Sequence, residues 1–354
     1  MISKRALVIR YGALGDIIVS TPLVRYLHEQ GWEIYYAPSE EGAQILQHSP
    51  RIAKLIPHVR DSVPNHLLDE HWKKQKKEYD IDRIFNLTES IEVQIVCHPS
   101  QPIYMMPKEE RLKRCSKDEY EYSFKYVHLN PKGVDLSPEL HFTKDEEKDM
   151  EKWMGKYKNN FKIYHPVSGS GLNKIYPYWQ YIMDDIFKVH KDIVLITVGG
   201  ELDELIDSSY ALSSPYVVPM SGKWSVRQSM LASKYCDLVI GTDTGMMHAA
   251  GAWDVTKILL FGHNDANTVS RHFKGRTIPI QSTVNCSPCH KLIYNSQILC
   301  PRDVAIGCGC LCMTGFKDIH GKFYGIEPAL VRRTILEQIK EIKSGTVRRD
   351  KKTV

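Results

Sequence analysis

The sequence predicts an α/β protein built from parallel sheets in two successive halves. Short apolar runs at Ala6–Arg10, Phe161–His165 and Asp237–Ile240 have the composition of buried parallel strands. Each run leads into a turn and then a helical pattern, and this alternation favours parallel sheets with helices on both faces. A hydrophilic stretch separates the halves, and 354 residues suit two domains of roughly 150–200 residues each.

In the first half, the strand at residues 6–10 precedes a turn and an apolar helix that runs to about Glu29. The further predicted elements are the strand Glu33–Ala37, the strand Lys54–Ile56, the charged helix Leu67–Tyr79 and the strand Arg83–Leu87. Residues 108–122 are highly charged and show no strand pattern, and residues 143–158 form a Glu/Lys-rich helix that resembles an exposed connector.

In the second half, a Gly/Ser-rich turn follows the strand at residues 161–165. The further predicted elements are the helix Pro177–His190, the strand Ile193–Val198, a helix after Gly200, the strand Asp237–Ile240 and the amphipathic helix Glu327–Lys343. We therefore predict a first domain at residues 1–155 and a second domain at residues 156–326, which includes the cysteine-rich loop 286–312. Residues 327–354 complete the chain with a helix and a basic tail.

Composition excludes several classes of protein. The formal charge of +5 is modest, so we expect no nucleic-acid partner, and no apolar stretch is long enough to span a bilayer. We expect a cytoplasmic protein. The basic tail Arg348–Lys352 has two interpretations, a solvated chain end or a contact with the anionic inner membrane surface. Self-association stays open.

The segment Gly241–His248 follows a strand and has the residues of a phosphate-binding turn. Backbone amides at Thr244 and Gly245 would open a helix and face a ligand above the strand. Asp243 and His248 add side chains that orient a sugar or a neighbouring loop. The alternative is a tight turn that Thr244 caps.

The turn after the first strand contains Gly12, Gly15 and Asp16. The glycines admit a close approach, and a carboxylate at a helix start is either a cap or a general base. The turn lacks the Gly-Lys-Ser/Thr ending of a P-loop and the G-x-G-x-x-G dinucleotide fingerprint.

Two more strand-end loops favour a nucleotide diphosphate. Ser168 and Gly169 lie in a Gly/Ser-rich loop that ends at Lys174, a cation suited to phosphate or a solvated surface lysine. Glu201 and Glu204 follow another strand, where a carboxylate accepts hydrogen bonds from ribose or complements a helix dipole. Loops from both halves therefore predict a cleft between two domains.

These motifs, taken together, resemble the heptosyltransferase family, glycosyltransferase family nine. Ile9–Asp16 followed by Ser20–Leu23 is similar to the family's opening, a basic residue, a short turn, Leu-Gly-Asp and Thr-Pro. Gly241–Ala250 resembles its Asp-Thr-Gly-x-x-His signature. His165–Lys174 with Pro177–Trp179 resembles its lysine loop, although the aromatic order differs.

The resemblance implies a GT-B architecture, with two Rossmann-like domains and a C-terminal helix that returns toward the first. The first domain, residues 1–155, would lie on the acceptor side, and the second, residues 156–326, would bind the nucleotide sugar. It also implies inverting transfer of a sugar from a nucleotide diphosphate, commonly ADP-heptose, without an obligatory metal or cofactor. By position, Asp16 would be the general base. Lys174 and the amides of Thr244 and Gly245 would stabilise the departing diphosphate.

Other residues carry over by the same resemblance. Glu201 or Glu204 would hold the ribose, and Glu89, with Gly12 and Gly15, would face the acceptor or the sugar. The acceptor class stays open among a lipopolysaccharide sugar, another glycan and a protein hydroxyl. The rival interpretation is a non-catalytic nucleotide-sugar or glycan-binding protein with a metal-stabilised cysteine module.

Six of the nine cysteines cluster between positions 286 and 312. In a chain of this size without a signal peptide, such density favours a structural metal, with disulfides and free thiols as alternatives. The pattern also resembles a cysteine cluster in autotransporter heptosyltransferases, where it holds iron. We predict iron or zinc on Cys286, Cys289, Cys300 and Cys312, while Cys308 and Cys310 depart from a simple four-cysteine pattern.

Overall fold

The computed structural model describes residues 4–59, 62–94, 105–167, 169, 171–291 and 310–346. Its first half contains a four-stranded parallel sheet with the spatial order β3-β2-β1-β4. The strands are β1 (Lys4–Ile9), β2 (Trp32–Ala37), β3 (Ile52–Leu55) and β4 (Arg83–Asn86). Because the order reverses between β1 and β4, a crevice opens above the ends of these two strands.

Seven helices accompany this sheet in the described part of the first half. They are α1 (Leu14–Val19), α2 (Thr21–Glu29), α3 (Glu40–Leu46), α4 (Leu68–Glu78), α5 (Lys108–Cys115), α6 (Glu119–Tyr126) and α7 (Lys144–Met154). The single helix predicted to run to Glu29 is two helices, because Ser20 ends α1 and Pro22 occupies the first turn of α2. The charged stretch 108–122 contains α5 and the start of α6.

The second half contains a six-stranded parallel sheet with the order β10-β9-β8-β5-β6-β7. Its strands are β5 (Phe161–Pro166), β6 (Ile193–Val198), β7 (Val217–Pro219), β8 (Leu238–Thr242), β9 (Thr256–Phe261) and β10 (Thr277–Gln281). Numbered from β5, this order is the Rossmann order 3-2-1-4-5-6, whose switch point lies between β5 and β8. The loops after those strands contain Lys174 and Asp243.

The remaining elements cover the second sheet. They are α8 (Trp179–Val189), α9 (Glu204–Ser213), α10 (Val226–Ala232), α11 (Gly245–Ala250), α12 (Ala266–Val269), α13 (Leu311–Thr314), the hairpin strands β11 (Phe316–Lys317) and β12 (Phe323–Tyr324), and α14 (Pro328–Lys343). In α14, Val331, Ile335 and Ile339 are buried in the core of the second sheet. The family resemblance implies that this helix returns toward the first domain, whereas its apolar stripe packs on α8 in the second core.

One apolar core continues from the first half into the second. It joins Val8 and Leu23 of the first half to Tyr164 and Met247 of the second. Polar contacts reinforce this junction at Arg227 of α10, a buried side chain that binds three first-half segments. Its guanidinium donates to Gln44 O at 2.8 Å, His141 O at 2.9 Å and Glu146 Oε1 at 2.5 Å.

Within the described ranges, no helix combines the length and apolar character needed to cross a membrane.

Candidate active site

The turns after β1 and β8 meet at the boundary between the two sheets. A Cβ added at Gly245 would lie 3.0 Å from the Gly15 nitrogen and 3.0 Å from Leu14 Cβ. A Cβ added at Gly15 would lie 3.2 Å from His248 Cδ2. Side chains at either glycine would push the turns apart, so these two residues permit the first turns of α1 and α11 to touch.

A cleft of about 990 Å³ opens along this junction. The predicted site residues that line it are Gly15, Asp16, Gly169, Lys174, Glu201, Asp243, Thr244, Gly245 and His248. The cleft is within the size range of ligand pockets in proteins. The structure therefore brings the predicted loops of both halves to one site.

Asp16 lies at the first-sheet side of the cleft, with 22% of its side chain exposed. Its Oδ2 accepts from the Ala13 amide at 2.9 Å and lies 2.9 Å from Arg10 Nη2. A Cβ at Gly12 would lie 2.5 Å from Asp16 Oδ2, so a larger residue at position 12 would displace this carboxylate. Among the described residues, no hydrogen bond or ion pair involves Asp16 Oδ1. Asp16 thus caps the helix with one oxygen and keeps the other for a ligand.

Arg10 holds Asp16 in place. The Arg10 guanidinium is buried and also binds both carboxylate oxygens of Glu92, at 2.9 and 3.1 Å. Burial lowers the pKa of Arg10, but the charges of Asp16 and Glu92 outweigh it, and the net pKa is raised. Burial raises the pKa of Glu92 despite Arg10. The sequence analysis named Arg10 only as part of the opening motif. In the structure the Arg10 guanidinium pairs with Glu92. The predicted site residue Glu89 is exposed and does not line the cleft.

Asp243 lies at the second-sheet side of the cleft and is buried. Its Oδ2 lies 3.7 Å from Lys174 Nζ and accepts from Asn264 Nδ2 at 3.2 Å, while its Oδ1 lies 3.4 Å from His248 Nε2. Burial raises the pKa of Asp243, but Lys174 and His248 outweigh that effect and hold the pKa well below its usual range. His248 in turn lies 3.1 Å through Nδ1 from the Tyr120 hydroxyl.

A second layer of polar residues supports Asp243. His263 Nε2 lies 3.8 Å from Asp243 Oδ2, and burial together with Lys174 lowers the pKa of His263 to about 3. Asn264 Oδ1 lies 3.1 Å from His290 Nδ1, and the His290 amide donates to His263 O at 2.7 Å. His290 follows Cys289, so the start of the cysteine-rich segment lies directly behind this side of the cleft. The sequence analysis did not name His263, Asn264 or His290.

Lys174 and Thr244 offer a cation and a hydroxyl to the cleft. A Cβ at Gly169 would lie 2.9 Å from Lys174 Cβ and 2.9 Å from Thr244 Cγ2, so glycine there allows the two loops to pack. Thr244 precedes α11 but makes no side-chain cap, contrary to the capped-turn alternative. Its Oγ1 is buried without a hydrogen-bond partner in the described part of the chain. A buried unpaired hydroxyl is costly, and a bound ligand would remove that cost.

The carboxylates after β6 are placed unequally. Glu201 lines the cleft, whereas Glu204 is exposed at the start of α9 and is absent from the lining. Asp203 between them accepts from the Gly200 amide at 2.8 Å and caps this turn. Of the two ribose candidates, the structure brings Glu201 to the cleft. Ser168 lies outside the described residues.

Glu119, the first residue of α6, also lines the cleft and is buried. The sequence analysis did not identify it, because it lies in the charged stretch 108–122, where no motif distinguishes one carboxylate from its neighbours.

The described cysteines of the cluster do not form a metal site on their own. Cys310 and Cys312 are buried in the second core, whereas Cys286 and Cys289 are partly buried. Within the ranges that the structure describes, no group of three or more His, Cys, Asp or Glu side chains is placed to hold a metal ion. The predicted ligand Cys300 lies outside these ranges, as does Cys308.

Comparison with known proteins gives a family match. The profile described as glycosyltransferase family 9 (heptosyltransferase) matches residues 73–294. The matched range contains the loops of Lys174, Glu201 and Asp243 and begins after Asp16. Comparison with curated protein sequences gives no match.

Solved structures are similar over most of the chain. A family 9 glycosyl transferase from Veillonella parvula has a TM-score of 0.62 at 17% identity, with 79% of this chain and 86% of that chain covered. The ADP-heptose lipopolysaccharide heptosyltransferase II of E. coli has a TM-score of 0.56 at 15% identity, with 79% and 91% covered. TibC, an iron-containing dodecameric glycosyltransferase of enterotoxigenic E. coli, has a TM-score of 0.55 at 11% identity, with 97% and 80% covered. These similarities confirm the predicted GT-B fold.

Proposed function

The chain belongs to glycosyltransferase family 9, the heptosyltransferase family, and on that premise we propose that it transfers heptose from ADP-heptose to an acceptor hydroxyl with inversion. The observation that carries the proposal is the arrangement of the cleft. Within the described residues, Asp16 presents an unpaired carboxylate oxygen from one sheet, while Lys174 and Thr244 present a cation and an unpaired hydroxyl from the other.

The second-sheet side suits the diphosphate. Lys174 supplies positive charge, and the Thr244 hydroxyl and the amide of Gly245 supply hydrogen-bond donors. The Lys174 ammonium lies 3.7 Å from Asp243 Oδ2, which is longer than an optimal charged hydrogen bond of about 2.7–2.9 Å. Asp243 therefore positions the ammonium and leaves its N–H donors for a phosphate. Glu201 is the candidate ribose ligand, because a carboxylate beyond a strand end accepts from ribose hydroxyls.

The first-sheet side suits the base. The acceptor oxygen attacks the anomeric carbon and forms the new glycosidic bond, while the bond from that carbon to the phosphate oxygen breaks. The bonding electron pair leaves with ADP, and the acceptor proton passes to Asp16 Oδ1. Arg10 binds Oδ2 at 2.9 Å and keeps the carboxylate oriented during the transfer. Charge develops on the leaving diphosphate, where Lys174 and the donors at Thr244 are already in place.

ADP-heptose is the proposed donor because two similar proteins are described with it. One is the E. coli heptosyltransferase II, and TibC has been solved in complex with ADP-D-β-D-heptose. The proposed acceptor is a hydroxyl of a lipopolysaccharide sugar, another glycan or a protein, bound at the first-sheet side.

The test begins with a thermal-shift panel of ADP-, UDP- and GDP-sugars. We expect ADP-heptose to raise the melting temperature most, because binding to the folded state alone stabilises it. Incubation with that donor and candidate acceptors should release ADP and add one heptose mass to the acceptor. A chain that binds ADP-heptose tightly but never releases ADP would support the non-catalytic alternative instead. A preference for a UDP- or GDP-sugar would overturn the donor assignment.

A structural iron or zinc at the cysteine cluster is a further part of this proposal. TibC is described as iron-containing, and Cys286 and Cys289 have the spacing of a metal-binding pair. Completion of the site depends on Cys300, since the described thiols do not form a group of three. Elemental analysis of untagged protein should give about one metal ion per chain. Clearly substoichiometric iron and zinc would contradict it.

Self-association and membrane contact are the remaining proposals about partners. TibC is described as dodecameric, so light scattering on the purified chain tests whether this protein also forms a homo-oligomer. The proposed contact with the inner membrane surface depends on the tail Arg348–Lys352, which lies outside the described residues. Co-sedimentation with anionic vesicles, compared with a chain that ends before the tail, tests that contact.

A further inference from the structure

Glu119 is a buried carboxyl of the cleft that the proposed reaction does not use. It is the first residue of α6 and lines the same cleft as Asp16 and Lys174. Only 7% of its surface is exposed. In the described part of the chain, no hydrogen bond or ion pair involves its carboxyl. Its oxygens are not among the buried, unpartnered side-chain atoms of the described residues, so the carboxyl reaches the cleft and is available to hydrogen-bond a ligand there.

The start of α6 is fixed to the second half of the chain on both sides of Glu119. The Tyr120 hydroxyl lies 3.1 Å from His248 Nδ1 on α11. Asp118 Oδ1 accepts from the Glu121 amide at 2.9 Å and lies 3.3 Å from His272 Nε2. These contacts hold Glu119 between the two sheets, so its carboxyl is positioned before any ligand binds.

The charges around Glu119 favour its neutral form. Burial raises the pKa of Glu119 well above the usual range, and the negative charges of Asp243, Asp16 and Asp118 raise it further. Lys174 lowers this pKa, but its effect is smaller than the sum of the others. Among the described residues, His248, His272 and Arg271 also face this end of α6, where they contact Tyr120 and Glu121. A bound diphosphate would add more negative charge to the cleft. A neutral carboxylic acid both donates and accepts a hydrogen bond.

We propose that Glu119 binds hydroxyl groups of the transferred sugar and so contributes to the choice of donor. The inference rests on the proposed function and adds a sugar-binding residue to it. A sugar is favoured over the diphosphate because the carboxyl has no positive charge, while Lys174 already serves the phosphates. Asp16, Lys174 and Glu119 line one cleft. In the proposed reaction the anomeric carbon must lie between the acceptor oxygen at Asp16 and the phosphates at Lys174, which brings the transferred sugar into the part of the cleft that Glu119 shares.

The experiment compares the affinity for ADP-heptose with the affinity for ADP by calorimetry, without acceptor. We expect Glu119→Ala to weaken ADP-heptose binding about tenfold and to leave ADP binding within about twofold, since ADP lacks the sugar. Glu119→Gln keeps most of the sugar-dependent affinity, because an amide also donates and accepts. Glu121→Ala, on the same helix but outside the cleft lining, is the matched control and should change neither affinity.

A pH series separates the proposed contact from a structural role. As the pH rises and the Glu119 carboxyl ionises, the wild-type preference for ADP-heptose over ADP should decline. Glu119→Gln should show a clearly smaller decline than the wild type. The comparison of the two proteins isolates Glu119, because the terminal phosphate of ADP, which ionises with a pKa of about 6, affects both proteins equally.

Several outcomes would overturn the inference. If Glu119→Ala lowers the affinities for ADP and ADP-heptose equally, or lowers neither, Glu119 does not contact the sugar. If Glu119→Gln binds ADP-heptose as weakly as Glu119→Ala does, the carboxyl does not act as a neutral acid. If Glu119→Ala does not fold, Glu119→Asp, which withdraws the carboxyl by one methylene, must lose sugar-dependent affinity. Wild-type protein that binds neither ligand would instead refute the proposed function, and this inference with it.

Discussion

Asp16 and Asp243 occupy comparable places in the two sheets. Each follows a central parallel strand, at the point where the strand order reverses, and each lies beside a cation. The Asp16 side chain is 22% exposed, and among the residues that the structure describes only its Oδ2 is bound, by Arg10 and by the Ala13 amide. The Asp243 side chain is 7% exposed, and both of its oxygens face partners, namely Lys174, His248, His263 and Asn264.

The difference shows that two carboxylates at comparable strand ends can have different roles, one as a proton acceptor and one as a structural anion. Asp16 keeps Oδ1 open to the cleft, which a proton acceptor requires. Asp243 is surrounded by donors, and its anion orients Lys174 and His248 rather than reacting. The four predictions below test this division.

The largest expected effect is on turnover. Asp16→Asn should lower kcat about 10³-fold, because an amide does not accept the acceptor proton. The affinity for ADP should stay within about twofold, since Asp16 lies across the cleft from the diphosphate side. Steady-state kinetics and calorimetry measure the two quantities. Glu70→Gln, at an exposed carboxylate of α4 outside the cleft lining, is the control and should behave as wild type. Wild-type turnover in Asp16→Asn would refute the base role.

The next effect is on stability. Asp243→Asn leaves Lys174 without its anion in a buried site, and we expect the free energy of unfolding to fall by about 3 kcal/mol. Asp16→Asn is the matched substitution and should cost much less, because Arg10 retains both oxygens of Glu92. Urea unfolding of both variants measures the difference. Equal losses would show that Asp243 is no more structural than Asp16.

Two glycines allow each side of the cleft to be disturbed separately. A methyl group at Gly12 would press on Asp16 Oδ2, and one at Gly169 would press on Lys174 and Thr244. We expect Gly12→Ala to lower kcat about tenfold with ADP affinity unchanged, and Gly169→Ala to lower ADP affinity about tenfold. Kinetics with calorimetry on both variants tests the pair. A reversed pattern would exchange the roles assigned to the two sheets.

The smallest effect is a dependence of stability on acid. Because the folded-state pKa of Asp243 is depressed, its contribution is complete above the ordinary aspartate pKa of 3.8 and is lost as the pH falls below it. The difference in unfolding free energy between wild type and Asp243→Asn should therefore shrink below about pH 4, by about 1 kcal/mol per pH unit. Urea unfolding at pH 6, 4 and 3 measures it. A difference that stays constant would show that Asp243 does not stabilise the fold through its charge.

Local patterns predicted much of the fold. The strands at residues 6–10 and 193–198 were identified because buried parallel strands are continuous apolar runs. The sequence analysis did not predict the strands β9 and β10. β9 contains Lys257, whose ammonium is buried and donates to Trp253 O at 3.1 Å and Val255 O at 2.7 Å. Burial lowers the pKa of Lys257 to about 7, and no sequence pattern shows that a lysine is satisfied in this way.

The site residues also divide into those that local motifs predicted and those that only packing brings to the cleft. Asp16, Lys174 and Asp243 were found because strand-end motifs are contiguous in sequence, and contiguous residues need only local structure to come together. Glu92, Glu119, Asn264 and His290 reach the cleft or its supporting layer from segments far apart in the chain. No local signal distinguishes them from the exposed carboxylates and polar residues nearby.

The sequence alone determined the family resemblance, the two parallel sheets and the motifs on both sides of the cleft, because strand burial and tight turns depend on neighbouring residues. Tertiary structure decided which carboxylates are usable. Arg10 takes one oxygen of Asp16 and leaves the other, donors surround Asp243, and Glu119 is buried without a partner in the described part of the chain. The ionisation and availability of a carboxyl depend on the charges and donors that packing brings around it, and packing joins residues that the sequence keeps apart.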